Sequence, residues 1–169
     1  PLRAESLADE YTRLTHEQYT LLKAKLDRDT TPAEAVRLAT VTARLCEIVA
    51  IPPTGYTLPK AAADLVAHAA EHGWTTLVQW APAPGHEEEI REPFVTVRVG
   101  RKVTDADGWL GPGTRWEYRL TWHSRGCQPG RVRLSGGGLA VTPEHPSEGS
   151  APSVTAIRAV IAQHPGAAA

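Results

Sequence analysis

In Trp116-Glu-Tyr-Arg-Leu-Thr-Trp-His123 every second residue is large and apolar. A period of two marks a strand with one buried face, because successive side chains leave a pleated backbone on opposite sides. Trp116, Tyr118, Leu120 and Trp122 are expected to face a core, with Glu117, Arg119, Thr121 and His123 facing away. The same alternation occurs twice upstream. Val95, Val97 and Val99 alternate with Phe94, Thr96 and Arg98, and Thr76, Val78 and Trp80 alternate with Leu77 and Gln79. Downstream, Arg131 to Leu134 predicts a fourth strand with Val132 turned inward between Arg131 and Arg133, and Ser135-Gly-Gly-Gly138 after it reads as a bulge, bend or break.

Around these strands the period changes to that of helices. Leu7, Tyr11, Leu14, Leu22 and Leu26 recur at helical intervals, and Thr15-His-Glu-Gln18 resembles a capping box that restarts the helix after Leu14. Thr31-Pro-Ala-Glu34 offers a hydroxyl N-cap, proline at the first helical position and glutamate at the third. The stripe Leu38, Val41, Leu45, Ile48 and Val49 follows, and Ile51-Pro-Pro stops it. A third helix is predicted from Pro59 to His72 with Gly73 as its left-handed stop, and a last one from Ala151 to Gln163 presents Val154, Ile157, Val160 and Ile161 to the sheet.

Strands clustered between helices, rather than alternating with them, predict an α+β fold: an antiparallel sheet of about four strands with helices on one face. A helical region, residues 1–52, forming a hairpin or three short helices, precedes an α+β domain over residues 53–169. No apolar run approaches the ~20 residues that span a bilayer, and the amino end lacks the apolar core of a signal peptide. Cys46 and Cys127 match neither a disulfide framework nor a paired metal spacing, so a cytoplasmic protein with no membrane partner is expected. The formal charge of −1 conceals a division along the chain. Residues 1–90 carry 8 basic and 13 acidic side chains, a net of −5, whereas residues 91–133 carry 9 basic and 4 acidic, a net of +5. The strand region is the anion-attracting part of an otherwise acidic chain.

The motif that most resembles an active site is His68-Ala-Ala-Glu-His72. Histidines four apart lie on one side of a helix, and a zinc hydrolase adds a third ligand and a carboxylate over the metal-bound water. At about 100° per residue the two histidines straddle the apolar border and Glu71 faces out. Border histidines commonly rest their rings on a core, and His72 in the last turn complements the helix dipole. His68 and His72 are therefore weak metal candidates, with Asp64 as an additional ligand of a non-catalytic site. Ser124 beside His123, Asp105-Ala-Asp107-Gly108 and Glu87-Glu-Glu89 fit no catalytic or calcium-binding template, and no cofactor is expected.

The polar side of the sheet is more informative. Arg98, Arg101, Lys102, Arg119, Arg131 and Arg133 are the candidate anion-binding residues, because guanidinium forks suit phosphate and carboxylate and a cationic surface attracts nucleic acid by counterion release. Pairing across strands with Glu117 or Glu92 is the alternative use of these arginines. Trp109, in Asp107-Gly-Trp-Leu-Gly-Pro-Gly113, is a candidate lid or interaction anchor. The order helix, three strands, helix from residue 59 resembles the double-stranded-RNA-binding family, and Pro93-Phe-Val-Thr-Val-Arg-Val-Gly100 is similar to its second strand. The likeness is confined to that order: Glu144, His145 and Glu148 stand where that family has lysines, and an extra strand intervenes. A non-enzymatic binding protein for an anionic partner, nucleic acid above others, is the leading expectation. Alternatives are a protein-interaction or inhibitor-type module, or a homodimer, built on Trp109 and the amino-terminal helices, and a zinc-dependent hydrolase at His68, Glu71 and His72.

Overall fold

A computed structural model describes residues 5–90, 92–102, 115–123, 129–134 and 153–166. The first helix, α1, runs Leu7–Asp27 and begins where the Ser6 hydroxyl accepts the Asp9 amide at 3.1 Å. Asp9 and Glu10 in its first turn complement the positive end of the helix. The expected restart at Thr15 does not occur. With neither proline nor glycine to interrupt the ladder, the helix continues, and Gln18 reaches across to donate to Thr42 Oγ1 at 3.0 Å. The second helix, α2 (Pro32–Val49), starts at a complete capping box: Thr31 Oγ1 accepts the Glu34 amide, and Glu34 Oε2 accepts the Thr31 amide at 3.0 Å.

These two helices form a hairpin with its own small core of Leu14, Val41, Leu45 and Ile48, flanked by Tyr11. Ion pairs line its seam and ends: Arg44 with Glu10, Arg37 with Glu17, and Arg28 with Glu34. Exposed pairs of this kind contribute little to stability but fix which turns face each other. Helix α2 leans on β1 (Thr75–Ala81), while the Tyr11 ring meets His86 edge-on in the loop after that strand.

The sheet follows a simple meander. β1, β2 (Phe94–Lys102), β3 (Arg115–His123) and β4 (Pro129–Leu134) lie in the order β1-β2-β3-β4, every pair antiparallel. Pairing between β3 and β4 slips by one residue at Thr121/Trp122. Helix α3 (Lys60–Glu71) precedes the sheet and α4 (Val154–Gln163) follows it. The α+β class is therefore observed, with α3 and α4 on the face bearing Val95, Val97, Val99, Tyr118, Leu120 and Trp122, all with at most 1% of their surface exposed. Ala62, Leu65, Ala69, Ile157 and Ile161 from the two helices complete this core. Burying each large side chain contributes roughly 1.5–3 kcal/mol, so this face dominates the energetics.

Two hydrogen bonds fasten the residues just after α4 to those just after α3. Trp74 Nε1 donates to the His164 carbonyl at 2.8 Å, and the Gly166 amide donates to the His72 carbonyl at 2.7 Å. Gly73 holds φ at 73°, the left-handed stop that glycine favours, and a Cβ on Gly166 would lie 2.1 Å from the Gly73 carbonyl oxygen. Among the described residues no helix is long and apolar enough to cross a membrane.

The cap of α2 makes stability depend on acid. Hydrogen bonds from Arg28 and then from Thr31 hold the Glu34 carboxyl down at about 2, against an ordinary 4.5. A carboxyl depressed in the folded state stabilises above its ordinary value and loses that contribution as pH falls toward about 2. Urea unfolding at about pH 6 and about pH 3 should show the wild type losing more stability than Glu34→Gln across this window. Equal losses would show that the cap carries no such linkage.

Candidate anion-binding face

Antiparallel register places residues, not merely strands, opposite one another. Leu77 of β1 is the partner of Arg98, Arg98 is the partner of Arg119, and Arg119 is the partner of Arg133. Positions 98, 119 and 133 thus form one row across three adjacent strands, which lie ~4.8 Å apart. Arg131 occupies the neighbouring row, opposite Thr121, which is itself opposite Thr96. The arrangement follows from local sequence. Once the valines of β2 and the aromatics of β3 turn toward α3 and α4, Arg98 and Arg119 must leave by the other side.

The surroundings of this row are sheltered but polar. Arg98 and Arg119 are half-buried, and Thr96 beside them is 3% exposed, its hydroxyl 3.3 Å from that of Thr121. That hydroxyl pair gives the row a polar floor, and sequence reasoning overlooked it. The signal was present in the register, since Thr96 and Thr121 share the parity of Arg98 and Arg119. Partly desolvated guanidinium groups form stronger charge-assisted hydrogen bonds than fully solvated ones. Of the two carboxylates named as alternative partners, Glu117 lies opposite Gly100 in the register and Glu92, which precedes β2, has an intramolecular interaction. Arg98 does have an intramolecular interaction of its own. Arg119 enters none of the ion pairs among the described residues.

Arg101 does not belong to this face, which corrects the sequence expectation. It shares the parity of Val97 and Val99, so it turns inward, 9% exposed, beneath the end of α4. There its Nη1 donates to the carbonyls of His164 at 3.3 Å and Pro165 at 3.2 Å, just past the end of α4, the first of which also accepts from Trp74 Nε1. Alternation alone could have assigned it. Lys102 ends β2 opposite Arg115, and the side chains of Lys102, Arg131 and Arg133 lie outside the described residues, as does all of Trp109.

The histidine motif lies elsewhere, at the end of α3. His68 and His72 are half-buried and Glu71 is exposed, in the placement the helical wheel expects. Asp64 is occupied by Lys60, whose Nζ lies 2.7 Å from its carboxylate. The sheet face and the histidine turn do not come together into one site. Comparison of the chain with protein-family models, with curated proteins and with solved structures returns no match in any of the three.

The two arginine roles separate in a stability measurement. Arg101→Ala removes the charged donor shared by the His164 and Pro165 carbonyls just past α4 and should cost about 1.5–3 kcal/mol in urea unfolding. Arg119→Ala, on the far face, should stay within about 0.5 kcal/mol of the wild type. Similar losses at both positions would contradict the assignment.

Proposed function

We propose that the chain is a non-enzymatic binding protein whose arginine-bearing sheet face takes an anionic macromolecule, with nucleic acid the favoured partner and a cytoplasmic setting expected. The observation that carries this reading is the register row Arg98, Arg119 and Arg133, with Arg131 one row away. Like charges directly opposite on adjacent strands cost free energy unless something negative lies near them. A polyanion with regularly spaced phosphates supplies such charge, and releasing its condensed counterions adds a favourable term. The contrast with the hairpin supports the reading. There Arg13, Arg28, Arg37 and Arg44 each face a glutamate, whereas register sets Arg98 opposite Arg119 and Arg119 opposite Arg133. No cofactor enters this function.

Fluorescence anisotropy against duplex DNA, duplex RNA and single strands, each at low and physiological salt, tests it. Binding should weaken steeply with salt, and Arg119→Ala should reduce affinity for every sequence alike while lowering the log-log salt slope by about 1. Absence of binding to all three at low salt, or an unchanged affinity in Arg119→Glu, would overturn the reading.

A second reading, a protein-interaction surface or homodimer on the hairpin, is supported by the apolar side chains exposed there. Leu26 is 87%, Val36 68% and Tyr19 63% exposed, with Leu22 on the same helix as Leu26. Exposed apolar side chains close to one another are characteristic of contact surfaces. Sedimentation over a range of protein concentrations should show self-association that Leu26→Asp abolishes. A monomer at every concentration removes the homodimer.

A further inference from the structure

The sheet face leaves the His68-Ala-Ala-Glu-His72 turn without a role. Its two imidazoles have ring centroids 4.3 Å apart and are tilted by 44°. Hydrogen bonds fix the tautomer of each. His68 Nε2 lies 3.0 Å from the Arg158 carbonyl oxygen on α4, and His72 Nδ1 lies 2.8 Å from the His68 carbonyl oxygen. A carbonyl oxygen only accepts, so each of these nitrogens carries the proton and donates it. Nδ1 of His68 and Nε2 of His72 are left with lone pairs.

A ring nitrogen from each histidine and a carboxylate oxygen of Glu71 lie within 4.8 Å of one another. Ligands about 2.1 Å from a tetrahedral ion stand about 3.4 Å apart, so the three groups close in by up to about 1.4 Å on binding, Glu71 by rotation of its exposed side chain and the imidazoles by small χ adjustments. Spacing alone recurs by chance in helices. The carbonyl partners are the independent observation: metal-bound imidazoles characteristically donate their second N–H to a backbone carbonyl or carboxylate, which orients the ring and raises its basicity. Both histidines already have that support.

We propose that His68, His72 and Glu71 bind one divalent transition-metal ion, with water in the remaining position, and that the ion pins the end of α3 to α4. Two imidazoles and one carboxylate suit zinc, nickel or copper(II), whereas calcium and magnesium prefer oxygen ligands throughout. The tether runs through His68. An ion on Nδ1 polarises the opposite N–H and strengthens its bond to the Arg158 carbonyl. With Glu71 spent as a ligand, the role this geometry carries is the tether between α3 and α4.

Calorimetric titration of the tag-free, metal-stripped full chain with zinc chloride, with calcium chloride as control, tests the proposal. One zinc ion per chain and no calcium is the expected result, together with a rise in the unfolding midpoint that grows with zinc concentration, as mass action requires. His68→Ala also removes the bond to α4, so the decision rests on His72→Ala and Glu71→Gln, whose side chains bond at most within α3. His72→Ala should weaken zinc at least about 10-fold, Glu71→Gln should weaken it less, and His86→Ala, beside Tyr11, should leave it unchanged. Absent binding, binding indifferent to His72→Ala, or binding that leaves the unfolding midpoint where it was would overturn the proposal.

Discussion

The register between β2 and β3 constrains everything else in the molecule. Val95 faces Trp122, Val97 faces Leu120 and Val99 faces Tyr118, and these six side chains form the floor on which α3 and α4 rest. A slip of β3 by one residue would exchange Tyr118, Leu120 and Trp122 for Arg119, Thr121 and His123. A guanidinium group would then sit under the helices, at a desolvation cost no apolar contact there could offset. The core thus enforces the row of arginines. Register thus fixes which residues stand in that row as firmly as it fixes the sheet itself.

The charge division along the chain acquires a spatial meaning from the same constraint. In the acidic first half Arg13, Arg28, Arg37 and Arg44 pair with Glu5, Glu34, Glu17 and Glu10. The basic stretch beginning at residue 91 is laid out as strands, where a side chain's nearest neighbours come from other strands and not from the next turn. On the hairpin a guanidinium reaches the facing helix, as Arg44 reaches Glu10, and also its own, as Arg44 reaches Glu47 three residues on. In a sheet, the partner is fixed by register, and here register sets arginine against arginine.

Much of this was legible because the relevant periods are short. Alternation over Val95 to Val99 and Tyr118 to Trp122 gives both the strands and the side each residue faces, and Thr31-Pro-Ala-Glu34 gives the start of α2 almost to the atom. What was not legible depends on groups distant in sequence. Thr15-His-Glu-Gln18 has the composition of a cap, yet a cap forms only where the preceding residue leaves the helical conformation, and nothing forces Leu14 out of it. Arg101 was grouped with the surface cations by its charge, although its parity placed it inside. A charged residue turns inward only where acceptors await it, and those belong to His164 and Pro165, more than sixty positions away. The carbonyl partners of His68 and His72 are backbone atoms, which no pattern of side chains announces.

The fastening of α4 bears on the order in which the molecule assembles. Its links are long-range: His68 to Arg158 and Trp74 to His164 each join residues 90 apart, and Arg101 to His164 joins residues 63 apart. Closing so long a span costs chain entropy that no single neutral hydrogen bond repays, and the cost is met once, by whichever contact forms first. Each later link then forms within an already closed loop. The indole, the guanidinium and the glycine amide at this corner therefore act as one latch, each easing the closure of the others.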